Sequence, residues 1–394
     1  MKMKILMIHN RYQQRGGEDT AFESEAILLE KEGHLIEQLI FDNTIIQKKL
    51  DKILSGFRGI YNPASAAVLQ KKIKAFNPDI IHVHNFFPIA SPSIFFIARK
   101  YNVPVVFSLH NYRLICPSAM LYHRNKIYER SIHSLFPVAA ILRRVYRNSM
   151  LQTAAVTCTM SIHNLLGTWK NKVDRFIVMT DFARKMFINS ALRISPEQLA
   201  VIQNFSEDFG TGNSEREDFF LYVGRLSEEK GIDCLLETAQ KAGFNLTIIG
   251  DGPMRDKVMS YAKANPAISY RGFQPKEVII DYLKRCKALL LCSIWYEGLP
   301  FTIMEAFSTG TPVIASRLGA MEESIEDGYN GLLFTPGDTN DLERTIRRFE
   351  HSSELQKEIS LQTRKTYEEK YTPQIHYRLL MDVYTKVIQE NRHE

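Results

Sequence analysis

Two glutamates in one short stretch of the sequence, Glu297 and Glu305, have the type and spacing of a ligand-binding pair. Seven residues separate them, and Gly298 and Pro300 between them favour a turn followed by the start of a helix. A helix N-terminus attracts anions, most often phosphate, because its unpaired N–H groups and the positive end of its dipole face the ligand. Glu305 would lie too far inside that helix to cap it. It could instead accept hydrogen bonds from two ribose hydroxyls, while Glu297 would face the group attached to the phosphate.

The residues around the pair predict the elements that position it. Residues 288–293 form a short apolar run typical of a strand buried on both faces, so Glu297 would follow the carboxyl end of a strand. Pro300 suits the first helical position, and Gly310 with Pro312 marks the end of the helix. Two solvated surface glutamates could share this spacing, so it is the context that favours a binding role.

Two cations, Arg225 and Lys230, follow another predicted strand at residues 219–223. A guanidinium fork and an ammonium point charge suit a diphosphate, and both could offset the charge on a departing group. Two exposed surface cations are the alternative. Asp251 follows the next predicted strand and stands alone, so the sequence predicts no paired-aspartate metal site and no bound metal.

The first half alternates predicted strands with helices, which favours a parallel sheet. Ligands bind outside the carboxyl ends of such strands, and His82, His84 and His110 fall at these ends. We expect His82 and His84 to point to opposite faces of their strand, and therefore not to share a metal ion.

A loop containing Gly16 and Gly17 follows the first strand, at residues 4–9. The loop lacks the G-x-G-x-x-G fingerprint, which disfavours a dinucleotide dehydrogenase. Residues without Cβ let a ligand approach the backbone, although a plain tight turn would look the same.

Several of these motifs together resemble retaining glycosyltransferases of family 4, which have the GT-B fold. The resemblance rests on Glu297 and Glu305, on residues 310–316 and 326–334, and on His110 within residues 108–113. It implies an α/β protein of two Rossmann-like domains whose parallel sheets face a central cleft. It also implies sugar transfer from a nucleoside-diphosphate donor, a UDP-sugar or a GDP-sugar, with retention of configuration and with neither a metal nor a cofactor.

The resemblance implies roles for individual residues. His110 and Glu297 would contact the donor sugar at the catalytic centre, and Glu305 would hold the ribose. Phe273 would lie along the nucleotide base. The residues expected close to the diphosphate are Gly16, Gly17, Arg225, Lys230, Gly298, Leu299, Pro300, Phe301 and Thr302. The acceptor hydroxyl would attack from the face that the diphosphate leaves, while a covalent intermediate on Glu297 stays open on spacing alone.

Length and composition set the domain organisation. A chain of 394 residues exceeds what one core usually serves. We predict an N-terminal acceptor-side domain over 1–204, a linker over 205–218 and a donor-binding domain over 219–370. A C-terminal helix over 371–394 is expected to cross back to the first domain.

Cysteine usage and hydropathy indicate the compartment. The five cysteines are scattered without paired spacing, which argues against a disulfide framework or a zinc site and fits a reducing cytoplasm. The N-terminal apolar stretch is too short for a signal-peptide core, and no apolar run approaches the length of a bilayer span. We therefore expect a cytoplasmic protein.

The net charge of +6 conceals an asymmetry between the two halves. Residues 1–190 contain 26 Lys and Arg against 13 Asp and Glu, which leaves 24 against 31 for the rest. Arg143, Arg144 and Arg147 follow an apolar run, which predicts a basic, partly apolar helix. Such a helix can lie on anionic lipid, or it can be a solvated face. Peripheral contact with the inner face of the membrane, and a glycan or lipid-linked acceptor, follow as hypotheses.

Two other functions stay open. A sugar-nucleotide epimerase of the same fold would use the same donor site without an acceptor groove. The basic first half would suit a nucleic-acid-binding protein, but aromatic residues interleave with the cations only near Tyr122 to Tyr128, so we expect no nucleic-acid partner.

Overall fold

A computed structural model of the chain describes residues 2–11, 16–43, 59–213 and 215–393. It divides into two compact units. The first unit comprises Met1–Leu121, Tyr128–Ile202 and His376–Glu394, and the second comprises Tyr122–Ile127 and Gln203–Ile375. Residues 12–15, which precede the Gly16 position, and residue 214 of the predicted linker lie outside the described residues.

Strands and helices alternate along most of the described residues. In chain order, the strands are β1 Lys4–Arg11, β2 Leu35–Asp42, β3 Ile80–Val83, β4 Val105–Ser108, β5 Tyr122–His123, β6 Lys126–Ile127, β7 Arg175–Val178, β8 Leu199–Val201, β9 Phe220–Val223, β10 Leu246–Ile249, β11 Ile268–Tyr270, β12 Leu289–Leu291, β13 Val313–Ser316 and β14 Leu332–Phe334. The helices are α1 Gly17–Lys31, α2 Pro63–Phe76, α3 Ser93–Lys100, α4 Val138–Leu142, α5 Met150–Leu165, α6 Thr168–Lys172, α7 Asp181–Ile188, α8 Ile232–Ala242, α9 Arg255–Ala264, α10 Lys276–Arg285, α11 Phe301–Ser308, α12 Ala320–Ser324, α13 Thr339–Glu350, α14 Ser353–Lys370 and α15 Pro373–His393.

The first unit is organised around a six-stranded sheet in the order β2-β1-β3-β4-β7-β8, with every pair parallel. All four residues of β3 and of β4 are buried, as expected for central strands covered on both faces. Side chains of Asn62, Ser149 and Thr180 accept backbone hydrogen bonds at the starts of α2, α5 and α7, which fixes where these helices begin.

The second unit repeats the design with a parallel sheet in the order β11-β10-β9-β12-β13-β14. Its core includes Tyr222, Leu290 and Ile314 from three neighbouring strands. The predicted linker is tied to this unit. The Arg216 guanidinium donates to the carbonyl oxygens of Leu283 and Gly310, each at 2.8 Å.

The last helix, α15, supplies polar contacts inside the first unit. The Tyr384 hydroxyl lies 2.6 Å from Nδ1 of His82, and Arg175 donates to both carboxylate oxygens of Glu390 at 2.8 Å. Tyr384 is fully buried, so this helix forms part of the unit's interior. Within the described part of the chain, no helix combines the length and the apolar character that a membrane crossing requires.

The basic segment differs from its prediction. Helix α4 ends at Leu142, and Arg143, Arg144 and Arg147 lie in the turns that follow it, so they do not form a basic helix. Arg144 has φ of 56° and Arg147 has φ of 51°, and a residue in this left-handed region ends a helix. The three arginine side chains are nevertheless exposed.

Candidate active site

In the second unit, the predicted site residues follow the carboxyl ends of parallel strands of one sheet. Arg225 and Lys230 follow β9, Phe273 follows β11, and Glu297 follows β12. Because the strands are parallel, these ends meet at one edge of the sheet, which is where α/β sheets bind ligands. Glu305 lies in α11, the helix that comes next after Glu297.

Glu297 and Lys230 form a direct ion pair. The Lys230 ammonium donates to Oε1 of Glu297 at 2.7 Å, and the same oxygen accepts from the Ser293 hydroxyl at 2.5 Å and from Nε1 of Trp295 at 2.9 Å. The Glu297 side chain is 7% exposed and the Lys230 side chain 23%. Three donors on one oxygen fix the orientation of the carboxylate and hold the lysine beside it.

The backbone brings the two loops of this ion pair together. The Ile294 N–H donates to the Glu229 carbonyl at 2.9 Å, which joins the loop after β12 to the short 3-10 helix Glu228–Lys230. Gly231 has φ of 69°, and a Cβ at this position would come within 1.9 Å of the Cys292 carbonyl oxygen. Only glycine lets the chain pass this close, so Gly231 sets the distance between Lys230 and Glu297.

Glu305 lies buried in the second turn of α11. Its Oε1 is 3.4 Å from the ammonium of Lys276, whose side chain is 47% exposed. Burial raises the pKa of the Glu305 carboxyl, and the charge of Lys276 offsets only part of that effect. The lysine also lies 5.1 Å from the centre of the Phe209 ring. The sequence does not indicate that Lys276 lies near Glu305, because 28 residues separate the two along the chain.

The other predicted donor-binding residues of the second unit differ in exposure. Arg225 is exposed, and the Phe273 ring is 79% exposed. Helix α11 begins at Phe301 with Pro300 as its N-cap, one position later than predicted. Gly298, Pro300, Phe301 and Thr302 are partly exposed. The Leu299 side chain is buried, so Leu299 could reach a ligand only through its backbone.

In the first unit, His110 follows β4 and contacts a second histidine. Its Nε2 lies 3.0 Å from Nδ1 of His84, and the two rings stack with centroids 5.2 Å apart. Burial and the neighbouring His84 hold the pKa of His110 well below its ordinary value. Burial and His82 likewise lower the pKa of His84, to about 4. Both rings are therefore neutral at physiological pH, with hydrogen bonds that define their orientation.

The prediction that His82 and His84 point to opposite faces is wrong. Residues i and i+2 of a strand share a face, and the two ring centroids are 4.3 Å apart. Both rings contact the carboxylate of Glu25, a residue of α1. Oε1 of Glu25 is 2.7 Å from Nδ1 of His82 and 3.3 Å from Nε2 of His84. Sequence reasoning misses Glu25, because its place on the helix face opposite β3 depends on how α1 packs.

The glycine loop leads directly into α1. Gly16 is the N-cap with φ of −136°, and a Cβ built on it meets nothing within 4 Å, so neither backbone conformation nor packing among the described residues demands a glycine at this position. Gly17 is the first residue of the helix. Glu18 accepts hydrogen bonds from Asn111 and, at 3.2 Å, from Asn85, and its pKa is raised by burial. Glu18 is thus a further acid near the strand ends, partly exposed, that no sequence motif singles out.

Comparison with known proteins gives two adjoining family matches. Residues 22–206 match the family described as Glycosyltransferase Family 4, and residues 204–366 match the family described as Glycosyl transferases group 1. Over 367 residues, 91% of both chains, the protein is 25% identical to the uncharacterized glycosyltransferase MJ1178 of Methanocaldococcus jannaschii. It is 37% identical over 139 residues to the lipopolysaccharide 1,6-galactosyltransferase of Salmonella typhimurium, covering 33% of this chain and 38% of that one.

Among solved structures, the fold is similar to that of Anabaena HepE in complex with UDP. The TM-score is 0.68 at 16% identity, with 98% of this chain and 100% of the other covered. The predicted fold, GT-B with two α/β units on parallel sheets, is confirmed. The roles assigned to individual residues stay predictions.

Proposed function

The chain is a member of glycosyltransferase family 4, and we propose that it transfers a hexosyl or N-acetylhexosaminyl group from a nucleoside-diphosphate sugar with retention of configuration. The acceptor in this proposal is a glycan or a lipid-linked sugar of surface polysaccharide assembly. The observation that carries the proposal is the ion pair of Lys230 and Glu297 at the carboxyl ends of the strands. Glu297 is close in sequence to the N-terminus of α11.

The donor diphosphate would meet three sources of positive potential. Arg225 is exposed and offers a planar fork, Lys230 offers an ammonium, and the first N–H groups of α11 point along the helix dipole. These groups would stabilise the charge that develops on the diphosphate as the sugar leaves, without needing a metal ion. The proton of the acceptor hydroxyl would pass to a phosphate oxygen.

The two glutamates would act on different parts of the donor. Glu305 would accept hydrogen bonds from the ribose hydroxyls, with Lys276 holding the carboxylate ionised. Glu297 would orient the sugar, because Ser293, Trp295 and Lys230 fix its carboxylate. His110 of the first unit would contact the donor sugar, and Gly16 and Gly17 would let substrate approach their backbone. The exposed Phe273 would flank the base.

UDP is the preferred nucleotide of this proposal, with GDP as the second choice. Its support is that the similar HepE structure holds UDP. A thermal-shift screen of the purified chain against UDP-, GDP- and ADP-sugars tests it, because a ligand at a hundred times its Kd stabilises by about 2.7 kcal/mol. We expect UDP-sugars to raise the Tm and Arg225→Ala to abolish the rise. Lys257→Ala is the matched control, since Lys257 pairs with Asp233 in an exposed ion pair of the same unit.

A direct assay of each donor with the protein, in the absence of any acceptor, separates transfer from epimerisation. Loss of donor without any acceptor, accompanied by an epimeric sugar nucleotide, would favour the epimerase. Stabilisation by none of the nucleotide sugars would contradict the proposed donor site.

For the acceptor side, we further propose peripheral contact with anionic membrane through a patch of the first unit. The patch combines Arg143, Arg144 and Arg147 with exposed apolar side chains, of which Phe136 is 46% and Leu142 66% exposed. Each cation near an anionic surface contributes about 1 kcal/mol, so three beside apolar groups would give weak, salt-sensitive attachment.

Vesicle co-sedimentation tests this contact. Wild type is expected to bind vesicles containing an anionic lipid at low salt and to release at high salt, and the triple Arg→Glu variant is expected not to bind. Lys71→Glu, Lys74→Glu and Lys100→Glu together change three exposed cations of the same unit and serve as the control. Equal binding by both triple variants, or indifference of wild type to lipid charge, would contradict the proposal.

A further inference from the structure

Glu25, His82 and His84, which we name the Glu-His-His cluster, lie together inside the first unit. His82 belongs to β3, His84 follows it by two residues on the same face, and Glu25 faces them from α1. All three are buried, with His82 fully inaccessible. One potential ligand atom from each residue lies within 4.8 Å of the other two. None of the three has a part in the donor site of the second unit.

The atoms that converge in this cluster are not satisfied by one another. Oε1 of Glu25 and Nε2 of His84 are buried and have no hydrogen-bond partner, although they lie 3.3 Å apart. Nδ1 of His82 lies 2.7 Å from the same Oε1, but this contact does not have the geometry of a hydrogen bond. Buried polar atoms are rarely left unpaired, because each costs about 1–3 kcal/mol. Nδ1 of His82 has the Tyr384 hydroxyl as a partner at 2.6 Å, whereas Oε1 of Glu25 and Nε2 of His84 converge without a donor, as the atoms of a cation-binding site do.

In each of the three side chains, the polar atom that faces away from the cluster has a hydrogen-bond partner, as is usual for metal ligands. Nε2 of His82 lies 2.8 Å from the Ser108 hydroxyl, and Nδ1 of His84 lies 3.0 Å from Nε2 of His110. Oε2 of Glu25 lies 3.2 Å from Nε2 of His376. A hydrogen bond on the second nitrogen fixes the ring orientation and the tautomer of a metal-binding histidine. Each ring therefore presents its remaining nitrogen to the cluster.

The burial of the Glu25 carboxylate also favours a positive charge at this place. The Glu25 carboxylate is buried, and its ion-pairing contacts among the described residues are the imidazoles of His82, His84 and His376. A buried carboxylate is stable only beside a positive charge, which in this cluster is either a proton on an imidazole or a metal ion.

We propose that Glu25, His82 and His84 bind a divalent transition-metal ion, with zinc as the best fit to two imidazoles and a carboxylate. Zinc accepts this ligand set in tetrahedral geometry and keeps a fourth position for water or another ligand. Ligand atoms about 2.05 Å from a tetrahedral zinc lie about 3.3 Å apart, the separation already present between Glu25 and His84. His82 would need to retreat by about 0.6 Å from Glu25, and its Nδ1 would exchange the Tyr384 hydroxyl for the metal.

Metal analysis and titration of the whole chain test the site. After dialysis against a chelator and its removal, zinc is expected to bind at one equivalent per chain in calorimetry and to raise the Tm. Cobalt(II) is expected to give the visible absorption of a tetrahedral centre in the same protein. Zinc should displace the cobalt and bleach that absorption. These measurements on wild type do not depend on any variant folding.

Two variants then locate the site. Glu25→Gln and His84→Gln are each expected to weaken zinc binding by more than the roughly 10- to 100-fold that loss of a supporting hydrogen bond costs. His163→Gln is the control, because His163 is also buried in this unit but bonds to the Thr168 hydroxyl and the Ile60 carbonyl. It should lower the Tm and leave zinc affinity unchanged.

Absence of stoichiometric zinc or cobalt binding by wild type would overturn the proposal and assign the positive charge of the cluster to a shared proton. Zinc binding that persists unchanged in both Glu25→Gln and His84→Gln would also overturn it. A zinc effect lost equally in His163→Gln would show that the variants act through folding and not through the ligands.

Discussion

Replacing Lys230 by methionine tests both the structural and the chemical role of the ion pair with Glu297. The variant keeps the apolar stem of the side chain and removes the ammonium that lies 2.7 Å from Oε1 of Glu297. Breaking a buried ion pair by removing one partner costs about 3–5 kcal/mol. Ser293 and Trp295 still donate to the stranded carboxylate, so we expect the lower end, about 3 kcal/mol.

A second substitution separates stability from chemistry. Lys230→Met combined with Glu297→Gln leaves no buried charge unpaired at this ion pair, so the loss should shrink to about 1 kcal/mol. Turnover should not recover. It should stay about 10²- to 10³-fold below wild type, the usual cost of losing a group that stabilises developing negative charge.

The assay is urea unfolding followed by tryptophan fluorescence, paired with steady-state kinetics. The chain has two tryptophans, and Trp169→Phe leaves Trp295 of the second unit as the reporter. Lys257→Met is the control, since its exposed ion pair with Asp233 should contribute less than about 1 kcal/mol and nothing to turnover. Additive losses in the double variant, or recovery of turnover along with stability, would refute the reasoning.

Three further outcomes follow from the same site. Glu305→Gln should weaken UDP binding yet raise the Tm at neutral pH. Burial raises the pKa of this acid in the folded state, so its ionised form opposes folding. The gain in Tm of the variant should therefore fade as the pH drops through that raised pKa towards 4.5. An unchanged Tm at every pH would contradict this. Glu297→Gln should leave UDP affinity nearly intact in calorimetry and lower turnover, and an equal loss of UDP affinity in both glutamate variants would refute their division of roles. Magnesium or manganese should not stimulate transfer, because among the described residues the one cluster placed to ligate a metal is the Glu-His-His cluster of the first unit; activity lost to EDTA and restored by magnesium would count against this.

The parallel sheets and the strand ends can be predicted from the sequence because both depend on local pattern. Short apolar runs separated by helical periodicity indicate buried parallel strands, and that topology alone gathers Arg225, Lys230 and Glu297 at one edge. The pairing of Lys230 with Glu297 cannot be predicted in this way, because it depends on the close approach of Gly231 to the Cys292 carbonyl. The same holds for Lys276 beside Glu305, which requires the packing of α10 against α11.

The wrong predictions also have physical causes. The expectation that His82 and His84 lie on opposite faces conflicts with the two-residue period of a strand, which places them on one face. Their partner Glu25 lies on a helix whose rotation about its axis is set by tertiary packing. The composition of the basic run after Leu142 favours a helix, whereas the left-handed backbone of Arg144 ends the helix there.

The anomeric configuration of the first sugar released by the enzyme tests the central claim most directly. Proton NMR during slow hydrolysis of a UDP-sugar, in the absence of any acceptor, records the anomer before it equilibrates in water. Retaining chemistry at the Lys230 and Glu297 site predicts that the first-formed sugar has the configuration of the donor and that Lys230→Met slows its appearance. Release of the opposite anomer, or an unchanged rate in Lys230→Met, would contradict the account.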